Sequence, residues 1–171
     1  MALSADGQTL FAATHQFGGG SASAQALAMS ARDGSLLWSR DLEAPSQVGG
    51  TLATLEHEPV LLLALSNGKL LCLSASDGSQ RWQHEMPGFP DRWIYTLPVV
   101  DGQTVVVGQP SGSVAVDLST GSRIWEAGQH WELSVNCIRQ FPVVGDDGCL
   151  FAVQPHKLAN AFGPGNHWVA A

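Results

Sequence analysis

Apolar and polar residues alternate along this chain in short runs, each closed by glycine, aspartate, asparagine, serine or proline. A period of two predicts strands with one face buried, and the residues between the runs are those that hairpins use. The clearest set of four runs is Ile94–Val100, Thr104–Gly108, Ser113–Asp117 and Arg123–Glu126. A second set is Thr51–Leu55, Val60–Ala64, Leu70–Ser74 and Gln80–His84. A third is Val135–Val144, Leu150–Val153, Leu158–Phe162 and His167–Val169, and the chain opens inside or just before the first strand of one more set. No segment carries a 3.6-residue apolar period over the length of a helix. The alanine-rich "SASAQALAM" is read as a loop leading into a strand, because it aligns with Ser113–Asp117 and follows three glycines.

These sets are copies of one unit. "AVDLSTGSRIW" (Ala115 to Trp125) aligns with "AMSARDGSLLW" (Ala28 to Trp38) and "CLSASDGSQRW" (Cys72 to Trp82). The turn glycines Gly34, Gly78 and Gly121 are 44 and 43 residues apart, and Trp38, Trp82 and Trp125 keep that spacing. A further 43 residues reaches Trp168, after a turn one residue shorter. "DGQT" recurs at Asp6–Thr9 and Asp101–Thr104, and "PVV" at Pro98–Val100 and Pro142–Val144. Four antiparallel strands repeated at this period are the signature of β-propeller blades. The expected architecture is all-β, a single propeller segment over residues 1–171 with blades at about 1–44, 45–88, 89–131 and 132–171.

The repeated stretch resembles the tryptophan-docking repeat of the pyrroloquinoline-quinone-like propellers, roughly A-x-D-x-x-T-G-K-x-x-W, the family of quinoproteins and of BamB-like proteins. Ala115, Asp117, Thr120, Gly121 and Trp125 match it, with Ser122 where lysine is common. The first copy keeps Ala28, Gly34 and Trp38 but has Ser30 and Asp33 at the Asp and Thr positions. The second keeps Gly78 and Trp82, and the fourth keeps Trp168 and the turn glycine Gly165. The resemblance implies that each Trp docks on the next blade. It also implies that four blades are half of a larger, eight-bladed ring. "SADGQTLFAAT" is similar to the opening strand of WD-type propellers, which fits the same architecture.

Composition narrows the function. The chain has 171 residues, 44% hydrophobic and 13% charged, enough for one sizeable core and not the composition of a disordered chain. A net charge of −7 with lysine only at positions 69 and 157 leaves no basic stripe for nucleic acid. The apolar run Val60–Leu65 is far too short for a membrane-spanning helix, and "MALSADGQTL" reads as no signal peptide. Cys72, Cys137 and Cys149 form no C-x-x-C pair and are expected as buried thiols.

Candidate chemistry is sparse. Quinone-binding relatives have a vicinal Cys-Cys pair, a Trp floor and acidic calcium ligands. This chain has no Cys-Cys, and although Trp93, Trp131, Glu132, Asn136 and Asp91 are the residue types required, nothing in their spacing gathers them. The Gly-rich "FGGGSASAQ" lacks the lysine and helix of a phosphate loop. The six histidines have no metal spacing, Asp146-Asp147-Gly148 reads as a hairpin, and no nucleophile motif occurs. No catalytic, cofactor-binding or metal residue is therefore assigned, and no cofactor. The expected function is a non-enzymatic interaction scaffold, with a fragment of a quinone-dependent alcohol or sugar dehydrogenase and a carbohydrate-binding or sensor propeller as alternatives. Expected partners are a protein, or a second half-propeller from the same chain or by self-association. The resemblance implies a periplasmic or envelope location.

Overall fold

In the computed structural model of the chain, residues 1–15, 24–86, 96–109, 112–127, 143–144, 150–154, 157–163 and 167–170 are described. They form four sheets of four strands. Blade 1 contains β1 (Ala2–Leu3), β2 (Thr9–His15), β3 (Ala24–Ser30) and β4 (Leu36–Leu42). Blade 2 contains β5 (Gly50–Leu55), β6 (Glu58–Ala64), β7 (Lys69–Ser74) and β8 (Gln80–Glu85). Blade 3 contains β9 (Val99–Asp101), β10 (Thr104–Gln109), β11 (Gly112–Asp117) and β12 (Arg123–Ala127). Blade 4 contains β13 (Val143–Val144), β14 (Leu150–Gln154), β15 (Lys157–Gly163) and β16 (His167–Ala170).

Every sheet is antiparallel and keeps its strands in chain order, so each blade is a local meander. The first strands lie toward one another, β1 against β5 and β9 against β13. The last strands form the outer edges. This is a β-propeller arrangement. The "SASAQALAM" stretch enters β3 at Ala24, as a strand and not a helix.

Burial follows from how many faces of a blade are covered. In blade 2, Val60 through Leu65 and Leu70 through Ser74 are buried without a break. Both faces of these strands are covered, so a continuous apolar run replaces alternation. One face, with Leu61, Leu63, Leu71 and Leu73, meets Phe11, Ala26 and Ala28 of blade 1. The other, with Val60, Leu62, Leu70 and Cys72, meets Val105, Val107, Val114 and Val116 of blade 3. In β3 burial alternates instead, Ala24, Ala26 and Ala28 being buried and Gln25, Leu27 and Met29 half-buried.

A bulge recurs beside each of the first three tryptophans. Trp38 pairs with Ala28 and Leu36 with Met29, leaving Leu37 unpaired; Arg81 and Ile124 are skipped in the same way in blades 2 and 3. A bulged residue is left out of the ladder, and Leu37 and Ile124, skipped on the outermost strands of their blades, are exposed. Between β15 and β16 the pairing runs without a shift, Trp168 standing opposite Phe162. The fourth turn, one residue shorter, has no bulge to accommodate.

Candidate functional site: the tryptophan docking seams

The repeated motif meets itself across the seams between blades. Trp38 on β4 donates its indole N–H to the Ala75 carbonyl of blade 2 at 2.9 Å. Trp82 on β8 donates to the Leu118 carbonyl of blade 3 at 2.8 Å. Each ring lies on the turn glycine of the next blade. A Cβ built on Gly78 would fall 2.7 Å from Cε3 of Trp38, and one on Gly121 2.6 Å from Cε3 of Trp82. Both glycines also have left-handed backbone, at φ +74° and +70°. Glycine is therefore required twice over, for the turn and for the approach of the ring.

Small residues stand behind the rings. Ala28, Cys72 and Ala115 lie directly opposite Trp38, Trp82 and Trp125 on the neighbouring strand, and all three are fully buried. Phe11 packs on Trp38 with ring centroids 6.1 Å apart. Trp125 is half-buried against Val106 and Ala115. The fourth-blade turn that corresponds to its receptor, residues 164–166, lies outside the described residues, as does the turn glycine Gly165. Trp168 on β16 stands opposite Phe162 without a bulge, and so does not share the register of Trp38, Trp82 and Trp125.

Acids and hydroxyls hold the turns in two versions. In blade 3, Asp117 accepts from the amides of Ser119 and Thr120, both at 2.9 Å, and Thr120 Oγ1 accepts from the Ser122 amide at 3.1 Å. In blade 1 the roles are exchanged. Ser30 Oγ accepts from the Arg32 amide at 3.3 Å, and Asp33 from the Ser35 amide at 3.1 Å. In blade 2, Asp77 accepts from the Ser79 amide at 2.9 Å. Ser119 holds the Asp117 carboxyl below the usual carboxylate range, and the Ser35 and Ser79 amides do the same for Asp33 and Asp77. The departures Ser30 and Asp33 from the A-x-D-x-x-T-G pattern thus keep the capping and move the carboxylate.

Two seam residues escaped the sequence reading. Two positions after its Trp, Arg40 reaches across to the Gly78 carbonyl at 3.2 Å and to Gln80 Oε1 at 3.0 Å. The corresponding residue of blade 2 is His84, whose Nε2 is buried without a hydrogen-bond partner among the described residues. Burial lowers the His84 pKa, the Gly121 backbone only partly offsets this, and Arg123 lowers it further. Spacing from the Trp locates the position, but its chemistry differs in each copy, so no repeat signal marks it. Lys69 also ties blade 2 to the segment after β4 through an ion pair to Glu43, and pairs within its own blade with Glu85 at 3.9 Å.

Cys72 is wholly buried, and burial pushes its thiol up to about 12, which leaves it inert at neutral pH. Cys137 and Cys149 lie outside the described residues. Asp91, Trp93, Trp131, Glu132, Asn136, the Gly-rich residues 17–23 and the Asp146–Gly148 turn also lie outside them. Among the described residues, no three His, Cys, Asp or Glu side chains gather as metal ligands, and no helix is long and apolar enough to cross a membrane.

A blade built this way defines a class, the β-propellers fastened by one docked tryptophan per blade. Residues 2–170 match the family described as outer membrane protein assembly factor BamB, and the chain belongs to that family. Among solved structures it is similar to BamB from Moraxella catarrhalis, at 22% identity and TM-score 0.63, over 82% of this chain and 45% of that one. The quinohemoprotein alcohol dehydrogenase of Comamonas testosteroni matches at 21% identity and TM-score 0.51, over 67% and 20%. The computationally designed Ika4 protein matches at 13% identity and TM-score 0.57, over 90% and 91%. These likenesses show the fold. The chain spans under half the length of the BamB structure, and no curated protein matches it by sequence.

Proposed function

We propose that this chain is a non-enzymatic, protein-binding propeller module of the cell envelope, serving the assembly of outer-membrane proteins. The observation that carries the reading is the family match over residues 2–170. The geometry supports it, because the indoles of Trp38 and Trp82 are taken up by seams between blades. What the module offers a partner is then the connections between blades, at Pro87–Trp93 and Gly128–Glu132, which lie outside the described residues. Completion of the ring by a second half, in one longer chain or between chains, belongs to the same reading.

Depleting the protein from the cell that makes it is expected to lower the outer membrane's content of folded β-barrel proteins several-fold. Barrel levels that stay unchanged through depletion would count against the reading.

A further inference from the structure

The two seams that take up Trp38 and Trp82 are fastened alike by tryptophan and differently by charge. In each, the residue two past the Trp meets the residue two past the receptor glycine. In the first seam these are Arg40 and Gln80. The Arg40 guanidinium donates to the Gly78 carbonyl at 3.2 Å and to Gln80 Oε1 at 3.0 Å. In the second seam they are His84 and Arg123, and the charge of Arg123 acts on the ring. Each pair therefore holds one permanent cation, and in the second seam it comes from the receiving blade.

The place His84 occupies suits only a neutral ring. β8 sets it on the face that meets blade 3, opposite Leu70 and between Trp82 and Met86, all three in the apolar cluster that contains Val105 and Val116. Its Nε2 is buried with no hydrogen-bond partner among the described residues. A charged imidazole carries N–H on both nitrogens, so protonation turns that atom into a buried donor without an acceptor. The charged groups nearby do not compensate. On its own strand, Glu85 points to the other face and pairs with Lys69 of β7, and Arg81 stands at the bulge and pairs with Glu58 of β6. From blade 3 come the Gly121 backbone, which favours the charged ring, and Arg123, which opposes it and is paired with Glu126 at 2.9 Å. Among the described residues no carboxylate forms an ion pair with His84.

We propose that His84 is a proton-operated latch of the seam between blades 2 and 3. Protonation sets a second cation beside Arg123, and the seam parts locally, freeing Trp82 from the Leu118 carbonyl while Trp38 stays docked. β8 and β9 stand on the two sides of this seam, and the connection between them contains the Pro87–Trp93 segment. The consequence for a partner bound there rests on the reading above; the latch itself is read from the seam alone.

Each seam has a place for a reporter. Cys72 lies opposite Trp82 and is wholly buried against blade 3, and Ala28 holds the same place opposite Trp38 against blade 2. The test is the labelling of Cys72 in the intact chain by dithiodipyridine, which reacts with thiols even in mild acid, with the labelled peptide identified by mass spectrometry. Rates are taken relative to the urea-unfolded chain at the same pH, which removes the reagent's own pH dependence. The relative rate at Cys72 is expected to rise at least threefold as pH falls from about 7.5 to about 5. The thiol of Ala28→Cys is expected to keep its relative rate over that range. His84→Gln is expected to flatten the Cys72 profile. His84→Arg combined with Arg123→Gln, which copies the first-seam pair into the second, is expected to flatten it as well. A wild-type Cys72 profile that is already flat overturns the inference, as does a rise that survives His84→Gln. A rise shared equally by the thiol of Ala28→Cys overturns it too, because the whole chain would then be opening. None of these outcomes bears on barrel levels under depletion, so the two readings fail separately.

Discussion

At the scale of single residues, each docked tryptophan combines an area of apolar contact with one directed hydrogen bond, and the two can be separated by mutation. Trp82 is 8% exposed, so Trp82→Ala is expected to cost about 3–5 kcal/mol in urea unfolding, the range for a large buried truncation. Trp82→Phe keeps most of the area but leaves the Leu118 carbonyl without its donor, at about 1–3 kcal/mol. The glycines give a sharper comparison. Gly34→Ala and Gly121→Ala share the left-handed strain, worth about 1–2 kcal/mol, but only Gly121→Ala drives a methyl into an indole ring. Gly121→Ala is expected to be the more damaging of the two in thermal melts. Equal losses would show that the ring approach is not what requires glycine.

Acid acts on these residues with a definite sign. His84 titrates lower in the folded chain than in the unfolded one, because its burial disfavours the charged ring. The unfolded chain therefore takes up the proton first. This contribution to stability is complete above the ordinary histidine pKa, about 6.5, and falls as pH drops through the folded value. The lowered carboxyls of Asp33, Asp77 and Asp117 behave alike further down, losing their contribution below about pH 4. Stability against pH is thus expected to decline in two steps on acidification. His84→Gln is expected to remove the upper step and leave the lower, as read from urea midpoints at each pH.

At the scale of elements, the hairpins differ in how well their residues suit their turns. Leu55 pairs with Glu58, so the β5–β6 connection is a two-residue turn, and both of its residues have left-handed backbone, Glu56 at φ +50° and His57 at φ +70°. Such turns favour Asn-Gly, which adopts that backbone at little cost. Replacing Glu56-His57 by Asn-Gly is expected to stabilise the chain by about 1 kcal/mol through relief of left-handed strain, measurable as a higher melting temperature. No change would mean that the side chains hold the turn by contacts of their own. The hairpin's existence was legible in the apolar runs on either side, and its strain was not, since neither residue type announces positive φ. Strand positions in blade 2 were legible almost to the residue: the expected Val60–Ala64 and Leu70–Ser74 are observed as Glu58–Ala64 and Lys69–Ser74. Their apolar runs are long enough to leave no competing register.

Across the whole molecule, stability is a matter of neighbours, because a blade cannot cover its own faces. Blade 2 is covered on both sides and blade 1 on one. Amide exchange is expected to be slowest in β6 and β7 and at least tenfold faster in β1 and β4. Uniform exchange across the two blades would show that the outer face of blade 1 is no weaker than the covered seams.

The sequence by itself determined the unit: four strands, a capped turn, a glycine and a tryptophan, recurring at a spacing that only a local meander satisfies. These features depend on alternation and turn chemistry within about forty residues, and that is why they could be read without coordinates. Only the tertiary structure decided what each tryptophan touches. The partners of Trp38 and Trp82 lie 37 and 36 residues away, on backbone carbonyls that carry no side-chain signature. It alone separated Gly34 from Gly78 and Gly121, which are identical in motif and close in backbone angle. Whether a receptor is filled is a property of the blade beside it, and no residue of the repeat records that.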